Sequence, residues 1–274
     1  LSTSMEYPIY DNPEYYDIAF SWDLTKEARF YEACFRRYAE GPVKRLLELG
    51  CGTGRFLFEF ARRGYQVHGL DINPRMVEYV KEKASKLRLP VRVTPADMAD
   101  FQTGEEYDGA LCAVNTFSYL LTEEQVRSHL TCVGRELRAG GVYFIDFDLL
   151  VRPEARPLGE GARSRQRRER WTMRRGQIRV KASFRFVGEL DMARRRVAEE
   201  FILEGQDGEQ RFRIEQRGEV RLNTLPDFLK LLKETAVFQI AAWYPPRFNP
   251  EETLRIEEPT DEPLRRVIVV LRRG

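Results

Sequence analysis

Histidine is nearly missing from this chain, and cysteine is scarce. Two histidines, His68 and His129, and four cysteines, Cys34, Cys51, Cys112 and Cys132, stand in 274 residues, with no C-x-x-C pair among them. Such spacings imply neither a zinc centre nor a disulfide scaffold and leave a reducing compartment as the default. Long apolar runs are lacking too: no stretch approaches the roughly 18 to 20 residues of a membrane span. The opening Leu1-Ser2-Thr3-Ser4-Met5-Glu6 has no basic-then-apolar signal pattern, so a cytoplasmic location is expected. Net charge is close to nil, with 45 basic residues against 43 acidic. Core material is ample, since 42% hydrophobic residues suffice for one large domain or one domain carrying an insert.

The most informative stretch is Leu46-Leu47-Glu48-Leu49-Gly50-Cys51-Gly52-Thr53-Gly54-Arg55-Phe56. Its apolar start lies between Pro42 and Gly50 and suits a buried parallel strand. Glycines begin where that strand must end; without a Cβ they accept positive φ and let another group approach the backbone. Thr53 is placed to cap the helix that residues 55–61 predict from apolar residues three and four apart. Strand, glycine turn and helix, in that order, make the place where an α/β sheet holds nucleotides at its carboxyl edge. A dinucleotide fingerprint reads G-x-G-x-x-G, whereas Gly50, Gly52 and Gly54 give G-x-G-x-G with Glu48 two places ahead.

A second apolar strand, residues 66–71, ends in Asp71 about 20 residues past the glycines, where a carboxylate can accept both hydroxyls of a ribose. Asn73 and Pro74 supply the cap and first turn of a helix over residues 76–87, which leaves Asp71 for a ligand. A third strand, residues 91–94, leads to Ala96-Asp97-Met98, and a fourth, residues 107–114, leads to Asn115-Thr116-Phe117. Four motifs in this order resemble the class I S-adenosylmethionine-dependent methyltransferases. The resemblance spans roughly residues 43–150 and resumes in residues 237–244 and 266–271, which look like the last two strands of a seven-stranded sheet.

That resemblance implies an α/β fold, a seven-stranded Rossmann-like sheet with helices on both faces, and S-adenosyl-L-methionine as cofactor. It implies that Glu48, Gly50, Cys51, Gly52 and Gly54 surround the methionine part and the ribose. Asp71 then takes the ribose hydroxyls and Ile72 lies against the adenine ring. Asp97 and Met98 hold the adenine amino group, and Asn115 faces the methyl donor. The reaction it implies is methyl transfer to a small-molecule acceptor by in-line displacement.

Ahead of the first strand, residues 7–17 crowd rings among acids and prolines. The segment Tyr15-Tyr16-Asp17-Ile18-Ala19-Phe20 resembles the Y-D segment before the core in many small-molecule methyltransferases, where it forms a lid over the cofactor. Tyr16 is then a cofactor-site residue; an arm whose tyrosines merely cover the sheet is the alternative. Residues 27–38 read as an amphipathic helix with Ala28, Tyr31, Phe35 and Tyr38 on one side. The expected division is an arm over 1–42, a cofactor-binding core over 43–151 and 223–274, and an insert over 152–222.

Prolines and glycine at 152–159 mark a linker into that insert. Residues 177–186 then alternate apolar and polar without a slip, which is strand periodicity with one dry face. Residues 168–173, 197–203 and 211–222 read as further strands, with Gln206-Asp207-Gly208-Glu209 as a hairpin turn. The whole predicts an antiparallel sheet, and a β insert here resembles a branch of small-molecule methyltransferases in which it roofs the acceptor. Between Arg163 and Arg185 stand ten Arg or Lys against the single acid Glu169. Arg165, Arg167, Arg168 and Arg170 could follow a nucleic-acid backbone or bind an anionic substrate. A solvated sheet face, paired across strands with Glu199, Glu200, Glu204, Glu209, Glu215 and Glu219, explains the run equally.

Methyl transfer asks for alignment and exclusion of water more than for a protein nucleophile. His68, inside a strand, and His129, in a helix over residues 124–137, point to core roles, so no catalytic base is named. Tyr10, Tyr16, Tyr119, Trp171 and Tyr244 are expected near the rim, where aromatic rings could hold a cationic or planar acceptor. An RNA or protein methyltransferase is the second reading, and a cofactor-binding protein without turnover the third. No Asn-Pro-Pro-Tyr or Asp-Pro-Pro-Tyr tetrapeptide follows the fourth strand, which weighs against methylation of base amino groups.

Overall fold

The structure, a computed structural model, describes residues 8–151, 168–257 and 264–274. After an arm carrying α1 (Pro13–Ala19) and α2 (Thr25–Tyr38), the chain runs β1 (Arg45–Leu49), α3 (Arg55–Arg62), β2 (Gln66–Asp71), α4 (Pro74–Leu87) and β3 (Val91–Pro95). It continues through β4 (Tyr107–Cys112), a short 3-10 helix (Thr116–Tyr119), α5 (Glu123–Glu136) and β5 (Leu137–Leu150). Four antiparallel strands come next: β6 (Arg168–Arg175), β7 (Ile178–Asp191), β8 (Arg196–Asp207) and β9 (Gln210–Arg221). Then follow β10 (Asn223–Thr224), α6 (Leu225–Thr235), β11 (Phe238–Tyr244) and β12 (Leu264–Arg273).

The large sheet has the order β11-β12-β5-β4-β1-β2-β3, with two-residue β10 beside the end of β5. Strands β3, β2, β1, β4 and β5 are parallel to their neighbours, while β12 runs antiparallel between β5 and β11. Seven strands in this arrangement match the expectation from the motifs. The central strands read as continuous apolar runs because both faces are covered. On one face Phe117, Leu130, Val133, Phe228 and Leu231 fill the space under α5 and α6. On the other, Tyr31, Phe35, Phe56, Phe60 and Val80 do so under α2, α3 and α4. Parallel strands end at a common edge, so the loops after β1 to β5 are gathered there by topology alone.

The second sheet, ordered β6-β7-β8-β9, has the strand periodicity read from the sequence, with Gly208 at φ +59° in the turn before β9. Alternation places Ala182, Phe184 and Phe186 of β7 opposite Leu203, Phe201 and Glu199 of β8 along one face. The arm covers much of that face: Ile9, Ile18, Ala19 and Phe20 cluster with Val180, Ala182, Phe201 and Leu203. The Trp171 indole donates to the Ala19 carbonyl at 2.6 Å, and Tyr15 stacks on Phe212 with centroids 4.0 Å apart.

Asp17 ties the three parts together. Its buried carboxylate receives Lys83 (2.7 Å) and Tyr79 (2.9 Å) from α4 and Arg175 (2.8 Å) from β6. Burial pushes its pKa up, but Lys83, Arg175 and Tyr79 outweigh burial and hold it below the ordinary value. The arm is thus pinned to the core on one side and to the four-stranded roof on the other.

The outer face of the roof carries ion pairs. Glu200 binds Arg185 and Arg217, Glu204 binds Lys181 and Arg213, Glu215 binds Arg213, and Glu219 binds Arg196, at 2.5–3.2 Å. The linker and Arg163, Arg165 and Arg167 lie outside the described residues, as does the side chain of Arg168. Among the described residues no helix is long and apolar enough to cross a membrane.

Candidate functional site

β1 delivers Glu48 and the glycine loop to the carboxyl edge. Gly50, Gly52 and Gly54 have φ of +62°, +53° and +74°. A Cβ on Gly50 would stand 2.4 Å from Cγ2 of Thr116, so the loops after β1 and β4 touch there. At Gly52 it would fill the gap to the Tyr16 ring, 3.6 Å away. Gly54, left-handed, is the N-cap of α3. This corrects the expectation for Thr53, whose Oγ1 is buried and, among the described residues, has no hydrogen-bond partner; the turn places the cap one residue later. Cys51 is buried, its thiol pushed up by burial, and its amide donates to Leu70 O at 2.9 Å. Its part in the loop is therefore played by backbone.

Glu48 is 6% exposed and its Oε2 has no hydrogen-bond partner among the described residues. Burial pushes its pKa up to about 8 against the pull of Arg55. That shift favours the neutral acid, and a cation entering the loop would favour its ionised form. Arg55, at the start of α3, lies over the Trp22 ring at 4.1 Å, with Nη2 buried and without a hydrogen-bond partner among the described residues. Sequence reasoning passed over it.

Asp71 organises the neighbouring loop. Oδ2 accepts from Gly52 N (2.7 Å) and Oδ1 from Asn73 N (2.9 Å), while burial raises its pKa against those two bonds. Asn73 caps α4 as expected, accepting from Arg75 N and Met76 N, but Asp71 is not left idle: it fastens the two ligand loops together. Asn73 also donates to Asp11 of the arm at 3.0 Å. Ile72 projects from this loop, 69% exposed. After β3, Asp97 is exposed, with Oδ1 accepting from Ala99 N at 2.8 Å. Half-buried Met98 offers its carbonyl to His129.

The loop after β4 is bent sharply. Val114 and Asn115 both have positive φ, +57° and +62°, a conformation asparagine tolerates but one uncommon for valine, whose side chain is branched at Cβ. Val114 N donates to Asp146 Oδ2 (3.1 Å) and Asn115 N to Asp146 O (2.9 Å). Arg266 of β12 fixes Asp146 through two bonds of 2.7 Å. Asn115 Oδ1 accepts from Ser118 Oγ and from Asp148 N, so its side chain braces its own loop.

Facing these loops, the roof supplies a carboxyl group. Val197, Glu199, Phe201 and Leu203 alternate along β8, so strand periodicity carries Glu199 to the inward face, and it is 3% exposed. The Tyr119 hydroxyl donates to Glu199 Oε1 at 2.7 Å, and the Tyr10 hydroxyl lies 2.8 Å from that of Tyr119. With the Tyr119 proton committed to the carboxylate, Tyr10 is the donor in the second bond. Burial pushes the Glu199 pKa up to about 7; the Tyr119 bond opposes the shift and Asp148 adds to it. Gln216 accepts from Ile9 N on Oε1 (3.3 Å) while its Nε2 is buried without a partner. Tyr16 lies within electrostatic reach of Asp71, Glu48 and Glu199 at once, so it stands between the glycine loop and the roof.

Two expectations fail here. Glu199 does not pair with the arginines of the outer face, because it and Glu200 point to opposite sides. Tyr244 is not at the rim: it is fully buried against Phe30, with its hydroxyl 2.6 Å from that of Tyr38, since β11 turns this ring toward α2. Tyr10, Tyr16 and Trp171 gather on the arm–roof side with Phe20 and Phe201, and Tyr119 joins them through Tyr10. Neither histidine reaches this space. His129 Nδ1 donates to Met98 O, leaving Nε2 to accept from Tyr143 at 2.6 Å, and burial pushes its pKa down to about 4. His68, against Tyr107, Thr94 and Arg92, is pushed down to about 4 by burial and Arg92.

Residues 46–141 match the family model described as a methyltransferase domain. The dTDP-4-amino-2,3,4,6-tetradeoxy-D-glucose N,N-dimethyltransferase of Saccharopolyspora spinosa is 31% identical over 101 residues, 37% of this chain and 39% of that protein. Glycine/sarcosine N-methyltransferase of Aphanothece halophytica is 24% identical over 145 residues, 50% of this chain and 54% of that one. The match to the first curated relatives spans less than half of their length. DesVI of Streptomyces venezuelae superposes with a TM-score of 0.73 at 16% identity, covering 96% of this chain and 98% of that one. An S-adenosylmethionine-dependent methyltransferase of Clostridium acetobutylicum gives 0.72 at 17%, covering 97% and 99%. Residues 46–141 thus match a methyltransferase domain, and the chain shares the fold of S-adenosylmethionine-dependent methyltransferases.

Proposed function

We propose that this chain is a class I methyltransferase that transfers a methyl group from S-adenosylmethionine to an amine nitrogen of a small-molecule acceptor. The observation that carries the reading is the layering of glycine loop, Tyr16 and inward roof face, in which the acceptor side is covered by the arm and by β7 to β9 rather than left as an open groove. The residues present fit the cofactor. Gly52 keeps open a gap that a Cβ would fill, and Glu48 holds an orphaned buried oxygen beside it. When bound, the cofactor supplies a methyl group already activated on a sulfonium.

The chain's own residues divide the remaining work. Gly50, Cys51, Gly52 and Gly54 give backbone close to the methionine part and ribose, and Glu48 offers its carboxyl to the cationic end. Asp71, whose two oxygens each accept one backbone N–H, keeps lone pairs for the ribose hydroxyls. Ile72 supplies an apolar flank for adenine, Asp97 and Met98 its polar edge, and Asn115 shapes the loop facing the donor. Tyr16 covers the cofactor and helps exclude water. Support for an amine comes from relatives whose names are those of N-methyltransferases. The outer arginines named above are engaged with glutamates, which speaks against a nucleic-acid track.

Methyl-labelled S-adenosylmethionine is the test, offered with a panel of amines that includes glycine, sarcosine and a nucleoside-diphosphate amino sugar. Labelled N-methyl product is expected, with bulk RNA unlabelled at about 150 mM salt, where phosphate contacts are weakened. Label in RNA and in none of the amines would overturn the reading.

A further inference from the structure

Glu199 is a costly residue to place where it stands. An acid on the apolar face of a roof strand loses its hydration, and packing alone would be served better by valine or leucine. Its cross-strand neighbours on that face are Phe186 and Gly218, neither able to hydrogen-bond it through a side chain. Tyr119 binds Oε1, and among the described residues no donor meets Oε2. We infer that Glu199 is the group that receives the proton of the acceptor nitrogen during methyl transfer, with Tyr119 and Tyr10 orienting its carboxylate. This rests on the methyltransferase reading above and adds to it a residue and a proton path.

The step balances without a further reactant. The nitrogen lone pair forms the new N–C bond as the C–S bond breaks, its electron pair passing to sulfur. The N–H proton moves to Oε2 of the ionised Glu199 and later leaves to solvent. A buried carboxyl pushed up to about 7 is matched to an amine: an α-amino group titrates near 8, about one unit away, whereas an aliphatic hydroxyl is far too weak an acid for it to deprotonate. The groups that face Glu199 are Tyr119 and Asp148 from the core and Tyr10 and Tyr16 from the arm. The tyrosines are all pushed above their ordinary range by burial, so near neutrality they stay protonated, and within the hydrogen-bonded chain Tyr10–Tyr119–Glu199 it is Glu199 that can accept.

The alternative role, a hydrogen-bonded seal between roof and Tyr119, is separated from this one by Glu199→Gln, which keeps the shape and an acceptor for Tyr119 but cannot take a proton. In the full chain, with the amine panel and S-adenosylmethionine, wild-type kcat is expected to rise with pH through a midpoint near 7. E199Q should lose that limb and about 100-fold in kcat, with cofactor affinity by calorimetry within twofold of wild type. Carbon-13 NMR of glutamate-labelled protein without ligands gives a readout independent of turnover: one side-chain carboxyl titrating near pH 7 should vanish in E199Q. An E199Q rate within threefold of wild type, an unchanged carboxyl titration, or methylation of hydroxyl acceptors with none of any amine would overturn the assignment. Loss of S-adenosylmethionine binding by the wild type itself would instead sink the methyltransferase reading.

Discussion

Replacing Glu48 by glutamine exposes what the glycine loop costs the fold. The native carboxyl is pushed up to about 8, while in the unfolded chain it would titrate near 4.3. Between those values the folded protein holds a proton that the unfolded chain has lost, so folding is favoured most below about pH 4.3. This part of the stability falls as pH rises and levels off above about pH 8. At about 1.36 kcal/mol per unit, the full window is worth ~5 kcal/mol, of which ~3 kcal/mol lies between pH 5 and 7. Solvent leaking into the opened loop would reduce both figures. Glutamine has nearly the same volume, cannot ionise, and mimics the protonated acid. Urea denaturation at about pH 5, 6, 7 and 8 should therefore show wild type losing ~2 to 3 kcal/mol more than E48Q between pH 5 and 7. Groups common to both proteins, Asp71 among them, cancel in the difference. Parallel curves for the two proteins would refute the reasoning, because they would mean that Glu48 is already ionised in the fold.

Asp71→Ala should weaken S-adenosylmethionine binding at least tenfold by calorimetry. It should also lower stability without ligand by about 1 to 3 kcal/mol, since the Gly52 and Asn73 amides lose their acceptor; an unchanged melting curve would show that the loop holds itself. Asp17→Asn leaves Lys83 and Arg175 without their buried counter-charge. A loss of about 3 kcal/mol, with faster limited proteolysis of the arm, is the expected result, and wild-type resistance to protease would argue against a pinning role.

How much could be read from the chain differs by region, and the reason is physical. Strands β1, β2 and β4 are covered on both sides, and the glycines end β1 at a fixed place, so the position of Glu48, Gly52 and Asp71 at the carboxyl edge of the sheet was legible. The roof strands were legible from their alternation. That same alternation, applied to Val197, Glu199, Phe201 and Leu203, would have turned Glu199 inward. It was missed because Glu200 beside it does pair with arginines, and a run of acids opposite a run of bases suggests one solvated face. Thr53 and Tyr244 failed for local reasons: a left-handed Gly54 moved the helix cap, and the last residue of β11 faces α2 instead of the loops. Asp17 could not have been foreseen, since its partners Lys83 and Arg175 lie 66 and 158 positions away in sequence and only the folded arm brings them together.

The roof leaves the sheet after Leu150 and returns at Asn223, and these two points are side by side: Asn223 and Thr224 pair in parallel with Leu149 and Leu150. An insertion whose ends are already hydrogen-bonded neighbours transmits little of its own length or shape to the strands that carry it. The loops after β1, β2 and β3, where most of the cofactor contacts are proposed, lie on the opposite half of the sheet order from that junction. If the roof sheet covers the acceptor as proposed, evolution could exchange or rebuild it by altering one continuous stretch of gene, with little change to the loops after β1, β2 and β3. Selection for a new acceptor and selection for cofactor binding would then act on almost separate sets of residues, with Tyr16 and Asp17 of the arm as the places where the two histories have to agree.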